Sequence, residues 1–351
     1  MSHWWMPDKF SKKRPHLEMR AKLISAIRSY FDMQQFLEVE TPILQTMPCA
    51  DLHIHGFATT LKGLDLKAER DLYLHTSPEF EMKQLLVAGL PRIYQICHVF
   101  RNGEGSKRHS PEFTMIEWYR AHAGYEDIMA DCIGLLCHCA VRLGITHYQY
   151  NGQKCNPFDD WEKITVANAF SKYAGIDMFH SMGATAAHLS ASNANDTKGF
   201  REAALKAGVS VREDDAWEDI FHAVMAAKIE PQLGIKSPTI LYDYPVSMAA
   251  LSNRCADPRF AKRFELYVCG LELANAYDEL TDATEQRKRF KEEMAAKHAM
   301  YGEKYPLDED FLAALEHGMP PSGGIALGVD RLAMLASNTA DIDDVLWCGR
   351  P

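Results

Sequence analysis

Apolar positions recur along the first part of the chain with a helical period. Leu17, Ile24, Ile27 and Phe31 are spaced by seven, three and four residues, one stripe of a 3.6-residue repeat, which predicts a helix over about 16–36. Arg20, Lys22 and Arg28 fall on the opposite, polar face. In Leu37-Glu38-Val39-Glu40-Thr41-Pro42, apolar and β-branched residues alternate with carboxylates, so a strand is expected to stop at Pro42. Leu72-Tyr73-Leu74-His75 reads as a short strand. Ser77-Pro78-Glu79 then opens a helix: Ser77 can cap it, Pro78 suits its first position, and Glu79 complements the positive end of its dipole. Met82, Leu85 and Leu86 form the buried stripe, and Gly89 ends the helix.

Two longer strands are expected over 92–101 and 113–122, joined by a loop rich in Gly, Ser and charge. The period of two puts Phe113, Met115, Glu117 and Tyr119 on one face. A helix follows over about 125–143. From 151 to about 239 the pattern weakens into helical segments joined by polar pieces such as Ser192-Asn193-Ala194-Asn195-Asp196, expected as a helical insertion. Strand character resumes at Thr239-Ile240-Leu241-Tyr242 and again over 263–277, with Cys269-Gly270 able to bend the ribbon. A helix over about 282–301 precedes Gly323-Gly324-Ile325-Ala326-Leu327-Gly328-Val329-Asp330-Arg331-Leu332, a glycine-flanked strand whose Asp-Arg pair opens a last helix. Long hairpins interleaved with helices imply an antiparallel α+β core.

Composition narrows the class without naming chemistry. With 47% hydrophobic and 25% charged residues, the chain is neither disordered, nor collagen-like, nor a small disulfide scaffold. Its net charge of −10 argues against a generally basic, nucleic-acid-coating surface. No apolar run has the length of a membrane span, and Met1-Ser2-His3-Trp4-Trp5 lacks the pattern of a secretory signal. Nine dispersed cysteines fit reduced thiols in a cytoplasmic protein. At roughly 150 residues per domain, 351 residues allow about two domains or one with an insertion.

Three separated segments resemble, in order, the signature motifs of class II aminoacyl-tRNA synthetases. The first helix with Phe36-Leu37-Glu38-Val39-Glu40-Thr41-Pro42 resembles motif 1. Val99-Phe100-Arg101-Asn102, its loop, and Arg108-His109-Ser110-Pro111-Glu112-Phe113-Thr114-Met115-Ile116-Glu117 resemble motif 2, and the segment from Gly323 to Leu332 resembles motif 3. Within that class, Pro78-Glu79 and Glu272-Leu273-Ala274-Asn275-Ala276-Tyr277-Asp278-Glu279-Leu280 are similar to lysyl-tRNA synthetase. Motif 1 begins after only a short leader, 1–15, so no anticodon-binding barrel is expected before the catalytic domain at 16–351. Thr76-Ser77-Pro78-Glu79 and Gly324-Ile325-Ala326-Leu327-Gly328 make the chain resemble the elongation factor P–(R)-β-lysine ligase family, which carries that core alone.

The resemblance implies an antiparallel sheet flanked by helices, a homodimer formed through motif 1, and ATP with Mg²⁺ as co-substrate without an organic cofactor. It implies activation of lysine or β-lysine and transfer to a lysine of elongation factor P, with tRNA and membranes not expected as partners. A lysyl-tRNA synthetase-like enzyme using L-α-lysine and a catalytically silent paralogue acting as a binding module stay open.

The chemistry asked of the residues is consistent with this. A carboxylate is already a nucleophile, so its attack on the α-phosphorus of ATP needs alignment and charge neutralisation. Arg101 is placed to fork onto α-phosphate and carboxylate, and Arg331 lies in the first turn of the last helix. By resemblance ATP is contacted by Arg101, Asn102, Gly103, Glu104, His109, Ser110, Phe113, Glu265, Leu266, Gly328 and Arg331, the adenine lying between Phe113 and Arg331. Glu265 and Glu272 are the Mg²⁺ candidates. The substrate set comprises Ser77, Glu79, Tyr119, Glu272, Asn275, Tyr277, Glu279 and Ala326. Glu79, assisted by Ser77, is expected on the amine nearer the carboxylate, Glu279 and Tyr119 on the terminal ammonium, and Asn275 at the carboxylate end. Strand parity puts Asn275, Tyr277 and Glu279 on one face but Glu272 on the other, so a bulge or a strand end near Ala274 is required.

Four positions depart from the family's usual text. Gly103 intervenes in Arg101-Asn102-Gly103-Glu104, where Glu104 is expected to act one residue late, and Ser110 replaces an Asn. Phe80 stands where Tyr is more usual, and Ala326 stands where the synthetase tends to carry Gly. Other signals have ordinary readings. Cys132, Cys137, His138 and Cys139 do not gather on one helix face as a zinc site would need. His53 and His55 alternate on an expected strand, Trp4 and Trp5 are expected to pack the leader onto the core, and Lys9 to Arg14 to form a solvated arm.

Overall fold

The computed structural model describes residues 3–183 and 195–350. Met1 and Ser2, and Ser192 to Ala194 of the polar piece in the insertion, lie outside the described residues. The strands, in chain order, are β1 (Leu37–Glu38), β2 (Leu44–Gln45), β3 (Phe57–Lys62), β4 (Ala68–Leu74), β5 (Arg92–Phe100), β6 (Glu112–Ala121) and β7 (Tyr148–Tyr150). They continue as β8 (Gln153–Cys155), β9 (Glu162–Thr165), β10 (Thr239–Pro245), β11 (Phe260–Val268), β12 (Leu271–Asp278) and β13 (Ser322–Gly328). Eight of these form the central sheet in the order β1-β5-β6-β13-β12-β11-β10-β9. The inner pairings are antiparallel, as the hairpins imply, while the edge strands β1 and β9 join in parallel.

Alternation along the inner strands divides the sheet into two faces. Ile116, Trp118, Ile325, Leu327, Ala274, Ala276, Phe264 and Leu266 point into the main core. Helices α1 (Pro7–Met33) and α3 (Tyr125–Leu143) and the helix Val329–Ser337 contribute to that core. On the other face are two smaller cores. One joins α2 (Glu79–Val87) to the helices Ala283–Tyr301 and Glu309–Gly318 through Phe80, Phe290 and Phe311. The other belongs to the insertion, where Phe170, Phe200, Trp217 and Phe221 stack and meet Leu241, Tyr244 and Tyr267 of the sheet.

Several sequence boundaries are corrected. Helix α1 starts at Pro7 and carries Pro15 inside it, so the leader ends earlier and Lys9 to Arg14 belong to the helix. Proline only removes one hydrogen bond there, and the turns on either side continue. Arg20 is buried and paired with Asp330 of the last helix, its second nitrogen donating to Thr114 Oγ1 at 2.7 Å. Periodicity could not foresee that a charged position would meet a buried partner. Trp4 and Trp5 remain 43% and 58% exposed instead of packing into the core. The segment 151–239 begins with β8 and with β9 at the sheet's edge; its described helices lie within 166–180 and 197–232.

His53 and His55 lie outside the named strands, His55 making one isolated bridge to Asn102. Their Nδ1 atoms meet Tyr301 Oη at 2.9 Å and Glu303 Oε2 at 2.8 Å. Cys132 and Cys139 are buried in the main core, and Cys137 Sγ donates to the Pro157 carbonyl at 3.1 Å. No helix among the described residues is long and apolar enough to cross a membrane.

Candidate active site

The site is the sheet face left open between the two smaller cores, and strand register fixes its layout. One row across neighbouring strands reads Glu117, Ala326, Asn275, Glu265; the next reads Tyr119, Gly324, Tyr277, Arg263. Side chains in a row stand about 4.8 Å apart by the spacing of strands. Gly324 leaves room over β13 for Tyr119 of that row and for Glu279, since a Cβ there would collide with Glu279 Oε1 and the Tyr119 ring. At the far end, the β11–β12 register slips between Leu266 and Tyr267, so Leu273 is an extra residue and Glu272 turns to the same face as Asn275. This is the bulge the parity argument required, one residue before Ala274. Cys269 and Gly270, with φ of 54° and 71°, make the tight turn between those strands.

At the end where the nucleotide is expected, Glu265 Oε2 accepts hydrogen bonds from Tyr244 Oη (2.6 Å) and Tyr267 Oη (2.7 Å), and Oε1 accepts one from Arg263 Nη2 (2.6 Å). Burial and the nearby Glu265 charge push Glu272 upward, against the pull of Arg331, Arg263 and Arg101. Glu230, from the insertion, is pushed up to about 7 by burial and by both glutamates. Two mutually repelling carboxylates are a donor set suited to a hard cation. Among the described residues no group of three or more His, Cys, Asp or Glu forms a metal cluster.

Arg331 Nη1 donates to the Glu272 carbonyl at 2.7 Å, and Nη2 donates to His109 Nε2 at 2.6 Å. Burial, then Arg331 and Arg108, lower His109 to about 4, so the ring is neutral at pH 7. Because Arg331 only donates, Nε2 accepts and the proton sits on Nδ1, 2.8 Å from Ser106 Oγ. Arg101 lies over the Phe113 ring at 5.2 Å, and its Nε is buried without a hydrogen-bond partner among the described residues. Asn102 donates its N–H to the His55 carbonyl and accepts from Gly103 N. Gly103 has φ of 79°, so the extra residue in the loop adopts a conformation glycine takes without strain. Glu104 is half-buried, and Ser110 is buried. Gly328 is the residue before the last helix, beside the Arg331 side chain. Leu266 departs from expectation: its side chain is in the main core, on the opposite face from Glu265.

At the end where the amino acid is expected, Ser77 Oγ accepts from Glu79 N at 3.1 Å and donates to Glu117 Oε1 at 2.5 Å. Tyr119 Oη donates to Glu117 Oε2 at 2.9 Å, so the hydroxyl expected beside Glu279 serves Glu117 instead. Asn275 Nδ2 donates to Tyr277 Oη at 2.8 Å, and its Oδ1 accepts from Arg263 Nε at 3.0 Å. Lys83, fully buried one turn beyond Glu79, contacts Glu79 Oε1 and lies 2.5 Å from Glu279 Oε2. Burial pushes Glu117 up to about 7, with Glu79 adding to it, and pushes Glu279 up to about 8 despite Lys83. Burial opposes the charge on Lys83, but Glu279 and Glu79 outweigh it and hold the ammonium protonated.

Sequence reasoning named no role for Glu117, Lys83 or Arg263. Each had a signal: Glu117 shares strand parity with Tyr119, Lys83 is four residues after Glu79 on a helix, and Arg263 is two before Glu265.

A family model described as tRNA synthetases class II (D, K and N) matches residues 5–350. The chain belongs to this family. It is 38% identical to a lysine–tRNA ligase of Pelotomaculum thermopropionicum over 331 residues, which is 94% of this chain and 62% of that protein. Lysine–tRNA ligases of Bacillus subtilis and Lysinibacillus sphaericus are 38% and 39% identical, each over 93% of this chain and 62% of their own length. The chain thus spans about 62% of the length of these relatives. The class II fold and the open sheet face agree with that membership.

Proposed function

We propose that the protein is an ATP-dependent ligase that activates (R)-β-lysine as an adenylate and passes it to the ε-amine of a lysine on elongation factor P. The observation that carries the ligase chemistry is the unpartnered Arg101 Nε, a buried donor beside the Glu265–Glu272 pair and Arg331. In the first step the substrate carboxylate oxygen attacks the α-phosphorus, the α–β phosphoanhydride breaks, and pyrophosphate leaves. In the second an amine nitrogen attacks the acyl carbon, AMP leaves, and the amine loses a proton. Arg101 neutralises charge at the α-phosphate and orients the carboxylate, and Arg331 binds the ATP side. Glu265 and Glu272 would hold Mg²⁺, which would supply positive charge to neutralise the phosphates. Glu79, Glu117 and Glu279 receive the ammonium groups, and Asn275 meets the carboxylate end.

Ala326 supports the β-lysine preference. Its methyl stands between Glu117 and Asn275 on the floor of the pocket, where glycine would leave more depth. Exposed Met33, Leu37, Ile43 and Leu44 around α1 and β1 support a homodimer through that surface. Cytoplasmic residence goes with this reading.

The second reading, a lysyl-tRNA synthetase-like enzyme using L-α-lysine, is favoured by the names of the relatives above. Pyrophosphate exchange with (R)-β-lysine, L-α-lysine and no amino acid tests both. Exchange strongest with β-lysine is expected; stronger exchange with α-lysine removes the β-lysine claim and keeps adenylation. Absence of exchange in folded protein overturns the enzyme reading in favour of a silent paralogue. Transfer to elongation factor P against charging of tRNA then separates the acceptors.

A further inference from the structure

The amino-acid end of the site contains more acid than a diamino substrate needs. Glu79, Glu117 and Glu279 all face one another, and the charge of each is felt by the others or by Tyr119 between them. A lysine isomer brings two ammonium groups, while its carboxylate goes to the Arg101 end. Three carboxylates against two ammoniums would leave one buried negative charge, which is expensive. The structure contains the missing cation. Lys83 has no exposed side-chain surface, lies on the first turns of α2, and touches the carboxylates of Glu79 and Glu279 together.

We infer that Lys83 is a resident ammonium that sets the pocket's charge at minus two once its three carboxylates are ionised, so that it matches a substrate bearing two ammonium groups. This rests on the lysine or β-lysine reading above and adds a positioning residue to it. Lys83 performs no bond-making step. It holds Glu79, at a helix start, and Glu279, at the end of β12, at one distance from each other, and it leaves the pocket neutral once the substrate is in place. The alternative is an ion pair that merely ties α2 to the sheet.

The two roles differ in how charge losses combine. Glu279→Gln leaves a pocket charge of minus one facing two ammoniums; adding Lys83→Met restores minus two. With lysine-dependent pyrophosphate exchange as readout, Glu279→Gln is expected to raise the lysine KM by roughly 100-fold, and the double variant to recover about tenfold of that. ATP KM should stay near wild type in both. A purely structural Lys83 predicts the reverse, a double variant as poor as or poorer than Glu279→Gln, and that outcome overturns the inference.

Glu117→Gln alone and with Lys83→Met repeats the test at a carboxylate that Lys83 does not touch. It covers the case in which the first double variant fails to fold: recovery there supports the charge match, and additive loss overturns it. Lack of lysine- or β-lysine-dependent exchange in the wild type defeats the substrate reading itself, whereas exchange in the wild type with additive losses in the variants defeats only the role of Lys83.

Discussion

The two ends of the open sheet face handle charge in opposite ways. At the nucleotide end the cations are available and the anions are tied: Glu265 accepts from three donors, while Arg101 keeps a buried Nε without a partner among the described residues. At the amino-acid end the anions outnumber the cation, and burial pushes Glu117 and Glu279 up to about 7 and about 8. One end suits a polyphosphate and a carboxylate, the other a dication. In the proposed function a single amino acid with a carboxylate at one end and ammoniums at the other would span them.

The comparison breaks most visibly at Glu279. Glu279→Ala leaves Lys83 with one partner and removes the anion at the end of the pocket. Loss of one member of a buried charge pair costs about 3–5 kcal/mol, or a factor of several hundred or more. Lysine-dependent exchange should therefore vanish while ATP still binds, measured by nucleotide fluorescence or calorimetry. Wild-type exchange in this variant would show that the dication end is elsewhere.

At the other end, Arg101→Lys keeps a positive charge but loses the planar fork. An exchange rate lower by about 10²- to 10³-fold is expected, the usual cost of losing a donor that stabilises transition-state charge. The drop should be in kcat, with the lysine KM little changed. An equal loss in lysine KM would mean that the two ends are not separate.

Between these lies a pH effect. Glu117 and Glu279 have folded-state values raised above the ordinary 4.5 of a glutamate, so the free folded pocket binds protons that the unfolded chain has released. The stability these groups contribute is therefore lost as pH rises from about 4.5 to about 8, because the folded state binds more protons in that window. Substrate ammoniums work in the other direction, since they need the ionised carboxylates. The lysine kcat/KM should rise by about tenfold between roughly pH 6 and pH 8, and lysine should protect against thermal unfolding more at pH 8 than at pH 6. A flat lysine profile across this range would remove the proposed protonation of the pocket.

Much of this face was legible in the sequence, for reasons that mark where legibility ends. Period-two alternation placed Glu117 and Tyr119 together, and the clash of parity at Glu272 called for a bulge that β12 has. Turn chemistry at Cys269-Gly270 was local and could be read locally, whereas the helix expected to be capped by Ser77 has Pro78 at its N-cap, with Ser77 Oγ accepting from Glu79 N. Register between strands distant in sequence could not. The row Glu117, Ala326, Asn275, Glu265 joins β6 to strands that all lie more than a hundred residues later in the chain, and no local pattern places β6 beside β13. The same limit hid the partner of Arg20, the arrival of Glu230 from the insertion, and the inward turn of Leu266. Lys83 was missed for a different reason: a lysine near two glutamates reads as a solvated ion pair until burial is known.

The smallest expected effect sits where the two ends meet. Ala326 is paired in register with Asn275 on one side and Glu117 on the other, between the carboxylate end and the ammonium end. Its methyl therefore limits how deep the middle of the substrate can lie without altering either charged end. The α- and β-isomers carry the same charges and differ in where one amine leaves the chain, so a change in floor depth is the kind of difference that separates them. One methyl in a pocket shifts discrimination by about 1 kcal/mol or somewhat more, roughly tenfold. Ala326→Gly should shift the ratio of kcat/KM for L-α-lysine over (R)-β-lysine upward by about that factor, with total pyrophosphate exchange within a few-fold of wild type. Glycine is also the residue the synthetase tends to carry there, so the variant should approach α-lysine use without any change at Arg101 or Glu279. An unchanged ratio would mean that isomer choice is made at the charged ends and that the floor is passive.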